Sequence, residues 1–128
     1  MLHNPGSVFY VRQQQPAGLG HAVWCARHLV GSEPVAVLLA DDLILGASCV
    51  KEMVDAYKGG NMVAVMDVPH EQTGSYGIVT PGADDGRIVQ VEGLVEKPDP
   101  SSAPSNIAVV GRYIITPEVF ETLAAQER

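Results

Sequence analysis

The run PVAVLLADD constrains the fold most. Residues 35–40 are uninterruptedly apolar, preceded by Gly31-Ser32-Glu33-Pro34 and followed at once by Asp41 and Asp42. An apolar run this short, bounded by turn residues, reads as a strand buried on both faces, the pattern of a parallel sheet covered by helices. In an open sheet of that kind, ligands gather beyond the carboxyl ends of the strands. A carboxylate there can hold a hard cation such as Mg²⁺ against phosphate oxygens. An aspartate there can equally cap the following turn. The preferred assignment is metal binding for Asp41, with Asp42 capping the turn or supporting its neighbour.

The rest of the chain extends the same pattern. Residues 8–12 form a short β-rich run, read as a strand, and residues 19–28 read as a helix with Ala22, Val23, Ala26 and Leu29 at helical spacing. Residues 50–58 place Val50, Met53, Val54 and Tyr57 on one helical face, and Gly59-Gly60 ends that helix. Strands are expected over 62–68, 77–80, 87–92 and 107–115, the middle two as a hairpin-like excursion joined by PGADDG. Thr116 as N-cap and Pro117 at the first helical position start the last helix. Strands alternating with helices imply an α/β sheet, with a mixed part contributed by the later strands. The chain starts nearly inside a strand and stops soon after a helix begins, so it reads as the middle of a larger domain.

Composition removes several function classes. A chain of 128 residues suits one domain. A formal net charge of −7 argues against a nucleic-acid surface, which needs a basic patch, but leaves room for a small nucleotide held by one lysine, backbone N–H groups and a metal. No apolar run approaches a membrane span, and the N-terminal MLHNPGSVFY lacks the layout of a signal peptide. Cys25 and Cys49 belong to no CxxC pair, so they read as small buried hydrophobes in a reducing cytoplasm. His3, His28 and His70 read as surface residues, and no Ser-His-Asp or Cys-His arrangement suggests a covalent nucleophile.

Three further segments carry chemistry. In RQQQPAGLGHA, an amide, Gln13, stands five residues before Gly18-Leu19-Gly20, which opens onto a helix start. An amide can read the edge of a base, and glycines let backbone press against a nucleotide. Gly-rich turns before helices also simply connect elements. His21, on the first helical turn, reads as a packing or surface residue more readily than as a phosphate contact. In SYGIV, Gly77 permits close approach of a ligand, although a strand glycine also marks a bulge. In VEKP, Glu96 can accept from sugar hydroxyls and Lys97 can hold a phosphate. Adjacent strand residues face opposite ways, so both reach one ligand only if the backbone bends near Pro98.

Together, RQQQPAGLGHA, PVAVLLADDLI, SYGIV, VEKP and PSNIAVVGRYIITPEVF closely resemble the bacterial UTP–glucose-1-phosphate uridylyltransferases, or UDP-glucose pyrophosphorylases, over almost the whole chain. The resemblance implies a Rossmann-like nucleotide-diphospho-sugar transferase fold, a mostly parallel mixed sheet flanked by helices and incomplete at both ends, with residues 1–128 a single partial domain. It implies transfer of UMP from UTP to glucose 1-phosphate, giving UDP-glucose and pyrophosphate by Mg²⁺-dependent in-line displacement. By motif match, Gln13 reads the uracil edge, Gly18 lies against the base, and Gly20 belongs to the same loop. Asp41 is the Mg²⁺ ligand. Gly77 offers backbone to the sugar, Glu96 binds glucose hydroxyls, Lys97 binds the phosphate of glucose 1-phosphate, and Val109 lies by the sugar. Asp41 and Lys97 thus carry the catalytic charge.

Two departures accompany the resemblance. Ala40 stands where the family usually has proline. The family's N-terminal Gly-rich loop, which grips the triphosphate, and a downstream segment with a second metal-binding aspartate have no counterpart among these residues. Slow or absent turnover by the 128 residues is therefore expected, as is self-association or strand exchange. The competing expectations are another sugar-phosphate nucleotidyltransferase, such as a glucose-1-phosphate thymidylyltransferase, and a non-catalytic nucleotide-sugar-binding or interaction fragment.

Overall fold

A computed structural model describes residues 8–126; His3 lies outside them. In chain order the elements are α1 (Leu19–Cys25), β1 (Val35–Leu38), α2 (Cys49–Ala56), β2 (Met62–Asp67), β3 (Gly77–Asp84), β4 (Val89–Glu96), β5 (Ile107–Ile115) and α3 (Glu118–Gln126). Short 3-10 turns occupy Arg27–Leu29, His70–Ser75 and Pro100–Ser102. Among the described residues no helix is long and apolar enough to cross a membrane.

β5 organises the sheet. Its C-terminal half pairs with β1, its N-terminal end touches β3 through Ile78 and Ala108, and β2 runs along its other side from Asp67–Ile107 to Met62–Ile114. β4 completes the sheet beyond β3. Ile78, Ala108 and Val68 form the buried centre where β3 meets β5, with Tyr76 packed against them. Nearby, the Ser105 hydroxyl donates to the Val79 carbonyl at 2.6 Å and accepts from the Ile107 N–H at 3.0 Å, which fixes the entry to β5.

The α/β class agrees with the sequence, but the mostly parallel sheet does not: every ladder is antiparallel. β1, β2 and β3 all run opposite to β5. They point the same way, but β1 and β3 follow one another along one side of β5 and β2 takes the other side, so among the described residues none pairs with another. β1 is also not buried on both faces. Half-buried and exposed positions alternate along its four residues, and Leu38 is 54% exposed. An apolar run cannot by itself distinguish one covered face from two. Residues 8–12 form no strand, since no described strand lies alongside to take their hydrogen bonds.

Other elements follow local chemistry closely. Ser48 caps α2 by accepting from the Lys51 N–H, and Met53 is the buried residue on its inner face, while Val54 is exposed. β3 and β4 form the expected hairpin with longer strands than the residue pattern suggests. The Asp85 carboxylate accepts from the Arg87 and Ile88 N–H groups in the turn, and these bonds, led by Ile88, hold its pKa below the usual aspartate value. His28 and His70 are exposed, but His70 bonds Asn106 at 3.0 Å. Cys25 and Cys49 are free thiols, half-buried rather than fully enclosed.

Candidate substrate site

The turn after β1 is clamped to β5. The β2–β5 register shifts so that Val63 faces Tyr113 while Ala64 faces Val110, leaving Gly111 and Arg112 as a bulge in β5. The bulge aims the Gly111 N–H at Asp42, which accepts through Oδ2 at 2.7 Å. The Arg112 guanidinium donates to the carbonyls of Leu39 (3.0 Å), Gly111 (2.7 Å) and Asp42 (2.5 Å). Asp42 is thereby spent on holding the turn. Asp41 stands exposed beside it, at the rim of an apolar groove of about 410 Å³ between α1 and β1.

Further toward the N-terminal end of β5 the structure brings together Gly77, Glu96 and Val109. Gly77 lies opposite Glu96 in the β3–β4 ladder. A Cβ at Gly77 would sit 3.1 Å from the Glu96 carboxylate and 3.9 Å from the Val109 side chain, so only glycine leaves that space open. Directly after Glu96 the strand ends in a bend. Lys97 has φ +46°, the one positive φ at a non-glycine residue among those described, and its N–H donates to the Tyr76 carbonyl at 2.9 Å. The bend overrides strand alternation: Lys97 Nζ and Glu96 Oε1 come within 4.0 Å, both side chains remaining more than half exposed. An ion pair this exposed contributes little to stability and leaves both groups open to a ligand.

Tyr113 lies within electrostatic reach of both groups. Partial burial first, and then the carboxylates of Asp42 and Glu96, push its phenol pKa above the ordinary value. Tyr113 and the Gly111–Arg112 clamp are the site-forming residues that motif reading missed. Gly-Arg inside the apolar run IAVVGRYII was the available signal, because a strand glycine often marks a bulge.

The third group lies at the start of α1. Gly18, the N-cap, has φ +93°, a conformation that favours glycine. Its carbonyl accepts from the Ala22 N–H at 3.2 Å and from the Gln13 amide at 3.0 Å. The same amide nitrogen meets Nδ1 of His21 at 2.8 Å. His21 stacks on Trp24 with ring centroids 5.9 Å apart, and the Arg27 guanidinium covers the Trp24 ring at 3.5 Å. Gly20 already lies within α1, and a Cβ there would sit 2.9 Å from Leu123 of α3, so its smallness serves helix packing. Leu19, next to the Gly18 loop, lines the same groove as Asp41.

No cluster of three or more His, Cys, Asp or Glu able to hold a metal forms among the described residues. Mg²⁺ does not require one, since it is commonly held by one or two carboxylates together with water and substrate phosphates. The exposed, hard-oxygen carboxylate of Asp41 fits that mode.

A family model described as nucleotidyl transferase matches residues 4–128. The UTP–glucose-1-phosphate uridylyltransferase of Komagataeibacter xylinus is 50% identical over 97% of this chain and 45% of its own length. The enzyme of the same name from Bacillus subtilis (strain 168) is 45% identical over 97% and 44%. A crystal structure of a UDP-glucose pyrophosphorylase complexed with UDP-glucose is 41% identical and superposes with a TM-score of 0.85, covering 91% of this chain and 46% of that one. The chain thus spans less than half the length of the relatives it matches.

Proposed function

We propose that this chain, which belongs to the nucleotidyl transferase family, is part of an enzyme that transfers UMP from UTP to glucose 1-phosphate, giving UDP-glucose and pyrophosphate. Its 128 residues are read as part of one nucleotidyltransferase domain. The observation that carries the proposal is the meeting of Gly77, Glu96 and Val109, with the Lys97 bend bringing a cation within 4.0 Å of the Glu96 carboxylate. That pairing suits a sugar phosphate, with hydroxyls for the carboxylate and a phosphate for the ammonium. Likeness to enzymes named for this reaction supports the same reading.

In this reading a phosphate oxygen of glucose 1-phosphate attacks the α-phosphorus of UTP in line, and pyrophosphate leaves. Glu96 and the Gly77 and Val109 backbone orient the sugar. Lys97 offsets the crowded negative charge as the two phosphates meet. Gln13 and Gly18 hold the uracil, with Gly20 at the start of α1 giving room for Leu123 of α3. Asp41, backed by the Asp42–Gly111 clamp, would hold Mg²⁺, which supplies charge neutralisation when bound. The free thiols Cys25 and Cys49 suit a reducing compartment, so we place the protein in the cytoplasm.

Calorimetric titration with UDP-glucose and Mg²⁺ tests the proposal. Saturable binding is expected, weakened about tenfold or more in Glu96→Ala by loss of a charged hydrogen-bond acceptor. An unchanged affinity in the folded variant would reject the sugar-binding role of Glu96, and absence of binding by a demonstrably folded chain would leave the family membership as ancestry, with no working site in these residues.

A further inference from the structure

We infer that His21 is a positioning residue that fixes the hydrogen-bonding polarity of Gln13, so that Gln13 meets a base through its carbonyl oxygen alone. The inference rests on the base-reading role proposed for Gln13. The Gly18 carbonyl can only accept, so the Gln13 atom 3.0 Å from it is the amide nitrogen. The same nitrogen lies 2.8 Å from Nδ1 of His21. An amide nitrogen donates and does not accept, so Nδ1 is the acceptor and the ring proton sits on Nε2. Nε2 in turn points toward the Cys25 sulfur, 3.8 Å away, and stacking on Trp24 steadies the ring. Both amide hydrogens of Gln13 are thereby spent inside the loop.

What remains for a ligand is Oε1, an acceptor. A pyrimidine whose ring N3 carries a hydrogen, uracil or thymine, satisfies it. Cytosine in the same pose turns an N3 lone pair toward the oxygen, and two acceptors facing each other are repelled. His21 therefore acts as a selector against cytosine without touching the base. Were its acceptor removed, only the Gly18 carbonyl would oppose a turn of the Gln13 amide that presents its nitrogen to cytosine.

The test titrates the wild-type chain, His21→Ala and His21→Asn with UDP-glucose and with CDP-glucose, and follows the Gln13 side-chain amide signal by NMR. Wild type is expected to favour UDP-glucose. His21→Ala should narrow that preference about tenfold or more and shift the Gln13 amide signal. His21→Asn, whose side-chain oxygen supplies an acceptor near the Nδ1 position, should restore both. An undiminished preference in folded His21→Ala, or no rescue by His21→Asn, overturns the positioning role. An unshifted Gln13 amide signal overturns it whichever nucleotide binds. Equal binding of the two sugars by wild type, or binding of neither, instead overturns the base-reading role on which the inference rests.

Discussion

At Gly111 a side chain has nowhere to go. A Cβ there would overlap Asp42 Oδ2 and lie 2.7 Å from the Leu39 Cβ, and both neighbours belong to the turn that Arg112 holds. Gly111→Ala must push the turn away or distort β5. It is expected to destabilise the fold by about 1–3 kcal/mol, as overpacking does, and to move Asp41 with the turn. Urea denaturation of the variant checks this; a midpoint unchanged from wild type would show that the bulge yields freely. Residue by residue, legibility divided along sequence distance. Gly77, Glu96 and Lys97 sit in short motifs that the family resemblance singles out, and the structure brings Gly77 and Lys97 each close to Glu96. Asp42 and Gly111 are 69 positions apart, and their bond depends on a register shift in a sheet that no local pattern encodes.

Among the elements, the end of β4 shows how a strand can be broken to serve a site. Lys97 adopts φ +46°, a region that costs a non-glycine residue about 1–2 kcal/mol. Lys97→Gly removes that cost and the ammonium together. We expect this variant to be more stable, by about 1 kcal/mol after allowance for the entropy of glycine in the unfolded chain, and to bind UDP-glucose more weakly. Chemical denaturation alongside calorimetry would separate the two effects. A loss of stability would mean that the Lys97 side chain supports the fold rather than a ligand. Element existence was legible for β2, β5, α2 and the hairpin, where periodicity and capping agree with the final packing. Strand direction was not, since an apolar run says which residues avoid water and nothing about which neighbour covers them.

Across the whole molecule, strand edges and apolar surface remain uncovered. β1 and β2 each pair only with β5 among the described residues, and β4 only with β3, so each presents one unpaired edge. Phe9, Tyr10, Leu43 and Leu45 are 65% or more exposed, and the groove between α1 and β1 is lined almost wholly by apolar side chains. Unpaired edges next to apolar surface are templates for a second chain. We therefore expect the 128-residue chain to self-associate, with strand exchange one route. Light scattering should give an average mass above 13.6 kDa that rises with concentration. Leu38→Lys places a charge on the exposed face of β1, where charged side chains discourage edge pairing. If β1 is the contact, this variant should lower the average mass at the same concentration while keeping the melt of the wild type. A mass of 13.6 kDa at every concentration would show instead that the exposed surface is tolerated by the single chain.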